Sequence, residues 1–149
     1  MKQLNFPKYV FRFKKDAADN VLIFDVVRKK WLALSPEEWV RQHWVTFFIQ
    51  ELNVPIVNIV LESGISVLER KKRTDLVIYK NAVPVLILEC KAPEVKINQK
   101  VLNQIVNYNR VHKVKYFVMS NGLEHLYFEI NYEKSEITPI KNLPKFPLL

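Results

Sequence analysis

The sequence predicts an α/β (α+β) domain: a central mixed β-sheet flanked by helices, entered through an N-terminal β-hairpin. Three observations carry this. Short apolar runs recur between turn residues, two segments show apolar residues at three-to-four spacing, and Val85-Leu-Ile-Leu88 is apolar at every position. A strand apolar on both faces belongs in the middle of a sheet that helices cover.

The elements follow in order. Tyr9–Phe13 and Val21–Val27 alternate as strands around the turn Asp16-Ala-Ala-Asp-Asn20, and a short strand follows at Trp31–Leu34. Ser35-Pro36-Glu37-Glu38 starts a helix, with Ser35 as N-cap, Pro36 at the first helical position and Glu38 three residues after the cap. Trp39, Val40, Trp44, Phe47, Phe48 and Leu52 extend its apolar face to about Glu51. Ile56–Leu61 and Ile65–Glu69 read as strands around Gly64, and Asp75–Tyr79 and Val85–Lys91 as a pair. A second helix is predicted from Asn98 to about His112, then strands Tyr116–Ser120 and Leu126–Ile130 around an Asn121-Gly122 turn. The prolines after Thr138 argue against regular structure in the tail. The organisation expected is a hairpin extension over 1–34, a core over 35–132 and a Pro-rich tail over 133–149, all within one domain.

At 149 residues and 49% hydrophobic content, the chain can bury a core without disulfide staples. No apolar run is long enough to span a membrane, and the N-terminus lacks the apolar core of a signal peptide. Its single cysteine, Cys90, suits a reducing cytoplasm, the localisation expected. The net charge of +8 favours an anionic partner, nucleic acid first. His43, His112 and His125 show no zinc-ligand spacing. Trp39 and Trp44, in phase with the apolar face, are expected in the core.

Chemistry concentrates between Arg73 and Pro93. Glu-x-Lys occurs three times, at Glu69/Lys71, Glu89/Lys91 and Glu94/Lys96, but only the second ends an apolar strand. If the turn between the two strands centres on Ala82, residue 79 faces 85, 77 faces 87, and Asp75 faces Glu89, with Lys91 on the same side. Two opposed carboxylates repel unless a proton or a cation lies between them. Mg²⁺ accepts one or two protein carboxylates and keeps water and phosphate oxygens as further ligands, so the pair beside a lysine suits phosphodiester hydrolysis. Equally, Lys91 could simply neutralise the pair. Lys71-Lys72-Arg73, just ahead of Asp75, and Arg28-Lys29-Lys30 are candidate phosphate contacts. Cys90 points away from Glu89 and Lys91 and reads as a small buried residue.

Asp75, a gap of thirteen residues, then Glu89-Cys90-Lys91 resembles the PD-(D/E)xK nuclease signature, with Thr74-Asp75 in place of Pro-Asp. More closely, the chain resembles the N-terminal domain of type I restriction enzyme R subunits. The residues that carry this are Leu34-Ser-Pro-Glu-Glu-Trp-Val-Arg-Gln42, Lys72-Arg-Thr-Asp-Leu-Val-Ile78, Leu88-Glu-Cys-Lys-Ala-Pro93, Gln104-Ile-Val-Asn-Tyr108 and Met119-Ser-Asn-Gly122. The resemblance implies a restriction-endonuclease-like core and Mg²⁺-dependent DNA cleavage, with Mn²⁺ as a substitute ion. It implies Asp75, Glu89, the Cys90 backbone carbonyl and Glu38 (or its neighbour Glu37) around the metal, and Lys91 as the catalytic lysine. Gln104 and Tyr108 match a Gln-x-x-x-Tyr motif that supports the site or contacts DNA.

R subunits also carry an ATP-driven motor, yet this sequence has two glycines and no Gly-x-x-x-x-Gly-Lys-Ser/Thr loop, so no ATP site is expected in it. Candidate partners are DNA, a separate motor or specificity subunit, and a second copy of the chain. The alternative to a nuclease is a nucleic-acid-binding or assembly module that keeps the fold without cutting. A structure-specific nuclease such as a junction resolvase would share the core.

Overall fold

A computed structural model describes residues 1–67, 70–103, 105–106 and 113–149, with the side chains of 63–73 outside that description. Among the described residues, nine strands and one long helix follow one another: β1 Phe13–Lys15, β2 Val21–Asp25, β3 Lys30–Ala33, α1 Pro36–Gln50, β4 Ile59–Val67, β5 Arg70–Lys80, β6 Val83–Cys90, β7 Tyr116–Ser120, β8 His125–Asn131 and β9 Glu136–Ile140. Strands β1–β3 form a small antiparallel sheet, and β4–β9 form a six-stranded sheet in sequential order. Among the described strands only β6 and β7 run parallel, so the large sheet is mixed.

The mixed sheet separates two apolar clusters, as strand alternation requires. On one face Leu76, Ile78, Leu86, Leu88 and Val118 meet Val40, Trp44, Val45 and Phe48 of α1. On the other, Val77, Ile87, Phe117 and Met119 meet Val101 and Ile105, which lie in the helical stretch described at 100–103 and 105–106. The expected sheet flanked by helices is therefore present. The remainder of the second predicted helix, including Gln104, Tyr108 and His112, lies outside the described residues. Phe48 is fully buried, so Phe48→Ala would cost about 3–5 kcal/mol.

Helix α1 begins as its sequence dictates, with Ser35 Oγ accepting from the Glu38 N–H at 3.0 Å and Pro36 at the first turn. The reciprocal half of a capping box is not made. Glu38 instead turns its carboxylate to Arg28, Arg41 and Gln42.

Several expected elements change shape. The first strand shrinks from Tyr9–Phe13 to Phe13–Lys15 because the aromatic rings ahead of it pack on α1: Phe11 lies 4.7 Å from His43 and 5.1 Å from Trp39. Further back, the Asn5 N–H donates to Gly122 O at 2.8 Å, strapping the N-terminal arm across the β7–β8 turn. Val21–Val27 ends early, at Asp25, whose carboxylate accepts from the N–H groups of Val27 and Arg28. Together with β3, the hairpin is a three-stranded sheet. Ile56–Asn58 forms a 3-10 turn, and β4 runs unbroken from Ile59 through Gly64 to Val67. The tail loses regular structure later than expected, after Ile140: β9 includes Pro139 because it is an edge strand, where a missing N–H can face away from the ladder, and 141–149 form no helix or strand. No helix among the described residues is long and apolar enough to cross a membrane.

The β5–β6 connection is a two-residue turn. Asn81 and Ala82 both have positive φ (52° and 62°), as a turn matched to strand twist requires. Lys80 pairs with Val83 and Tyr79 with Pro84, rather than residue 79 with 85. An irregularity between Ile78 and Tyr79 then moves the register by one, giving Ile78↔Leu86, Val77↔Ile87 and Leu76↔Leu88. The expected facing of 77 and 87 is therefore reached through a tighter turn plus a bulge.

Candidate functional site

The pairing of β5 with β6 ends at Leu76↔Leu88, and the next residues outward are Asp75 and Glu89. Across β5 on its other side, Leu61↔Leu76 and Ser63↔Thr74 flank Glu62 and Asp75. Three neighbouring strands thus carry a row of carboxylates: Glu62, Asp75 and Glu89. Glu62 has φ 50° and is left out of the ladder, with its side chain directed to Arg28 and Arg41.

Asp75 is held from two sides. Its Oδ2 accepts the Cys90 N–H at 2.7 Å, and its Oδ1 accepts Arg41 Nη2 at 2.8 Å. Glu89 is buried, and Lys91 Nζ donates to its Oε1 at 3.4 Å. Met119, paired with Glu89, closes the adjoining strand position.

Arg41 comes from the middle of α1, where its side chain is only 5% exposed. Besides Asp75 it pairs with Glu38, with Glu37 Oε1 at 3.2 Å and with Glu62 Oε1 at 3.4 Å. Burial works against its charge, but Glu38 and Asp75 outweigh that and hold the guanidinium above its ordinary pKa. Arg28 forms the second hub, bonded to Asp25, to Glu38 Oε1 at 2.8 Å and to Glu62 Oε2 at 3.1 Å. Among these described ion pairs, six carboxylates (Asp25, Glu37, Glu38, Glu62, Asp75, Glu89) face three cations (Arg28, Arg41, Lys91).

The two glutamates at the start of α1 divide the work. Glu38 is buried and saturated by Arg28, Arg41 and Gln42. Glu37 is 48% exposed, and its carboxyl is raised above the usual range by burial, then by the charge of Asp75, with a smaller push from Glu89. Lys91 acts on it in the opposite sense. Glu37 therefore shares its electrostatic surroundings with Asp75, Glu89 and Lys91. Both glutamates line a cleft of about 500 Å³ with Arg28, Lys30, Arg41 and Glu62.

Among the described residues, no group of three or more His, Cys, Asp and Glu is arranged to hold a metal. The side-chain donors at the strand ends are a pair, Asp75 and Glu89. That number fits Mg²⁺, whose remaining positions go to water, backbone oxygen and phosphate. Glu37 is raised first by burial and then by the charge of Asp75, and a cation beside Asp75 would offset that second contribution.

Cys90 is buried, and burial pushes its thiol well up, so it is an inert core group. Trp44 is fully buried as expected, while Trp39 is partly covered and donates to Lys2 O at 2.9 Å. Arg28 cannot grip phosphate as the basic run Arg28-Lys29-Lys30 suggested, because three carboxylates hold it and its side chain is 16% exposed. Lys71, Lys72 and Arg73 lie in β5, with side chains outside the description. His43 and His125 pack in the aromatic layer around Phe6. Sequence reasoning missed Asp25, Arg41 and Glu62. For Arg41 there was a signal, since Glu37 and Glu38 lie four and three residues before it on one helix.

The profile of the family described as type I restriction enzyme R protein N terminus matches residues 36–144. A solved structure described as a fragment of an HsdR subunit of a type I restriction enzyme, from Vibrio vulnificus YJ016, superposes with a TM-score of 0.55 at 21% identity. The match covers 76% of this chain and 24% of that one, so this chain spans about a quarter of its structural relative. No curated protein sequence matches.

Proposed function

We propose that this chain, which belongs to the type I restriction enzyme R protein N-terminal family, is a metal-dependent endodeoxyribonuclease module that hydrolyses DNA phosphodiester bonds at the Asp75–Glu89–Lys91 strand ends. The observation that carries the reading is the juxtaposition of Asp75 and Glu89 beside the last β5–β6 pair, with Lys91 Nζ 3.4 Å from Glu89. Asp75, Glu89 and the Cys90 carbonyl would hold Mg²⁺, or Mn²⁺ in its place. The chemistry such an ion supplies is polarisation of the phosphoryl group and acidification of the attacking water.

The rest falls to the chain's own groups. Arg41 and the Cys90 N–H fix the rotamer of Asp75, so that its carboxylate does not have to reorganise on binding. Lys91, tethered by Glu89, stabilises charge developing on the phosphate or orients the water. Of the acidic residues at the helix start, Glu37 is the better candidate to complete the metal surroundings, since Glu38 is committed to two arginines. Gln104 and Tyr108 would support the site or the DNA, as would Lys71, Lys72 and Arg73. In this reading the chain works with DNA, and with a motor or specificity subunit or a second copy of itself, in the cytoplasm.

One observation favours the non-cleaving alternative. Both Asp75 oxygens already accept bonds from protein donors, which a purely structural carboxylate would also do. Plasmid cleavage with Mg²⁺ or Mn²⁺ decides between them, comparing wild type with Lys91→Ala and Asp75→Asn. Nicking or linearisation lost in both variants is the expected result. Equal activity in all three proteins would mark a contaminant and defeat the assignment. Binding of DNA without cleavage would establish the alternative.

A further inference from the structure

We infer that the cleft on the other side of the Lys91–Ala92 segment is a nucleic-acid backbone site, in which Lys96 and Lys100 hold phosphates flanking the reacting one. The inference rests on the reading of Asp75, Glu89 and Lys91 as a phosphodiester site.

The segment after β6 separates two clefts of different character. Ala92 lines the one in which Glu37, Glu38 and Glu62 stand beside Arg28, Lys30 and Arg41. Lys91 lines the other, a space of about 580 Å³ whose polar lining is Lys91, Lys96, Lys100, Asn98 and Asn103, over the buried side chains of Val101 and Met119. Among the described residues no carboxylate lines this second cleft, and Glu94, in the same connecting segment, is not part of its lining. Lys96 and Lys100 are exposed and form no ion pair with a described residue. Asn98, whose Oδ1 accepts the Lys100 N–H at 3.1 Å, brings its amide Nδ2 to this lining as a further donor.

A space lined by ammonium and amide donors, without a carboxylate, is complementary to phosphodiester oxygens rather than to a cation or an apolar ligand. Lys91 belongs to both regions, since it touches Glu89 and lines the lysine cleft. A strand whose reacting phosphate lies at Lys91 therefore continues into the lysine side, where the lining ammonium groups face no lining carboxylate, whereas on the other side Arg28 and Arg41 are already engaged by Glu37, Glu38 and Glu62. The positive charge of the chain is thus used locally, next to the carboxylate pair.

The test is the salt dependence of DNA binding, read by fluorescence anisotropy on a labelled duplex without divalent ions. Each lysine–phosphate contact contributes about 0.9 to the slope of log K against log salt. The variant Lys96→Gln/Lys100→Gln should lower that slope by about 1.8, and each single change by about half as much. The control variant Lys134→Gln/Lys141→Gln, flanking edge strand β9, should leave the slope unchanged. A slope unaltered by the Lys96/Lys100 changes, an equal fall in the control, or no measurable duplex binding by the wild type would each overturn the inference. Failure of the two readings is distinguishable. A normal loss of slope in a protein that never cleaves defeats only the nuclease, and cleavage with an unaltered slope defeats only the lysine cleft.

Discussion

Arg41 Nη2 lies 2.8 Å from Asp75 Oδ1, joining the middle of α1 to β5 at the point where pairing with β6 stops. The guanidinium also bonds Glu37 and Glu38 and reaches Glu62, so its loss would strand several carboxylates in a poorly hydrated place. Removing one member of a buried ion pair typically costs 3–5 kcal/mol. Arg41→Gln should therefore lower the unfolding free energy by about 3 kcal/mol. In an Asp75→Asn background the same change should cost less, with a coupling of about 1–2 kcal/mol. Urea denaturation of the four proteins measures this, and strict additivity would mean that the contact adds nothing.

A divalent ion at the Asp75–Glu89 pair should change Glu37. Its carboxyl is raised by burial and then by Asp75, with Glu89 contributing, so a cation beside those two groups should bring it down. Carboxyl carbon shifts followed through a pH titration should show the Glu37 midpoint lower with Mg²⁺ than without. Mg²⁺ at a hundred times its Kd should also add about 2.7 kcal/mol to stability. Asp75→Asn should abolish both effects. A Glu37 midpoint indifferent to Mg²⁺ would place the ion elsewhere.

The strand-end pair was legible in the sequence because it depends on local arithmetic. A strand alternates with period two and a short turn fixes what faces what, so Asp75 could be set beside Glu89 from spacing alone. The turn geometry behind that placement was not legible: a two-residue loop and a bulge between Ile78 and Tyr79 offset each other by one residue. The arginine hubs were hidden for a different reason. Arg41 and Asp75 are 34 residues apart, and Arg28 reaches Glu62 across the same distance in sequence, so no local pattern joins them. Glu38 shows the cost of reading locally. Its position after Ser35 suits a capping box, yet charge-assisted bonds to two arginines outcompete a single backbone N–H. Pro139 misled in the same way, since a proline breaks a ladder only where its N–H would be needed.

The N-terminal arm should loosen in mild acid. His125 Nε2 donates to Asn5 O at 2.8 Å, and its Nδ1 lies 2.7 Å from Ser120 Oγ, which already accepts the Gly122 N–H; in the neutral ring Nδ1 can take up that hydroxyl's proton as an acceptor. His43 lies against Phe6 and Trp39, with its Nδ1 on Trp39 O at 2.8 Å. Burial lowers both pKa values below the ordinary 6.5. Between the lowered folded value and 6.5 the unfolded chain binds more protons, so stability is complete above 6.5 and falls as the pH drops through that window. Unfolding free energy measured by urea should be lower at pH 5 than at pH 7.5. His125→Gln, which keeps a donor for Asn5 O but does not titrate, should flatten the dependence. A pH profile identical in wild type and variant would refute the assignment to His125.

The β5–β6 turn offers a prediction of opposite sign. Ala82 has φ 62°, a left-handed conformation that costs an L-residue with a Cβ about 1–2 kcal/mol. Asn81, at φ 52°, is a residue type that tolerates the region. Ala82→Gly removes the strain but gives the unfolded chain more freedom, worth about 0.4–1 kcal/mol in the other direction. The net expectation is stabilisation by about 0.5–1 kcal/mol, seen as a higher denaturation midpoint with an unchanged m-value. Ala82→Val, which adds a branched carbon where none is tolerated, should destabilise. Because the turn lies at the far end of the hairpin from Asp75 and Glu89, Ala82→Gly should leave the pH dependence of the arm and the metal response of Glu37 unaltered. A change in either would mean that the turn still sets the register at Leu76↔Leu88, and that the bulge does not absorb it.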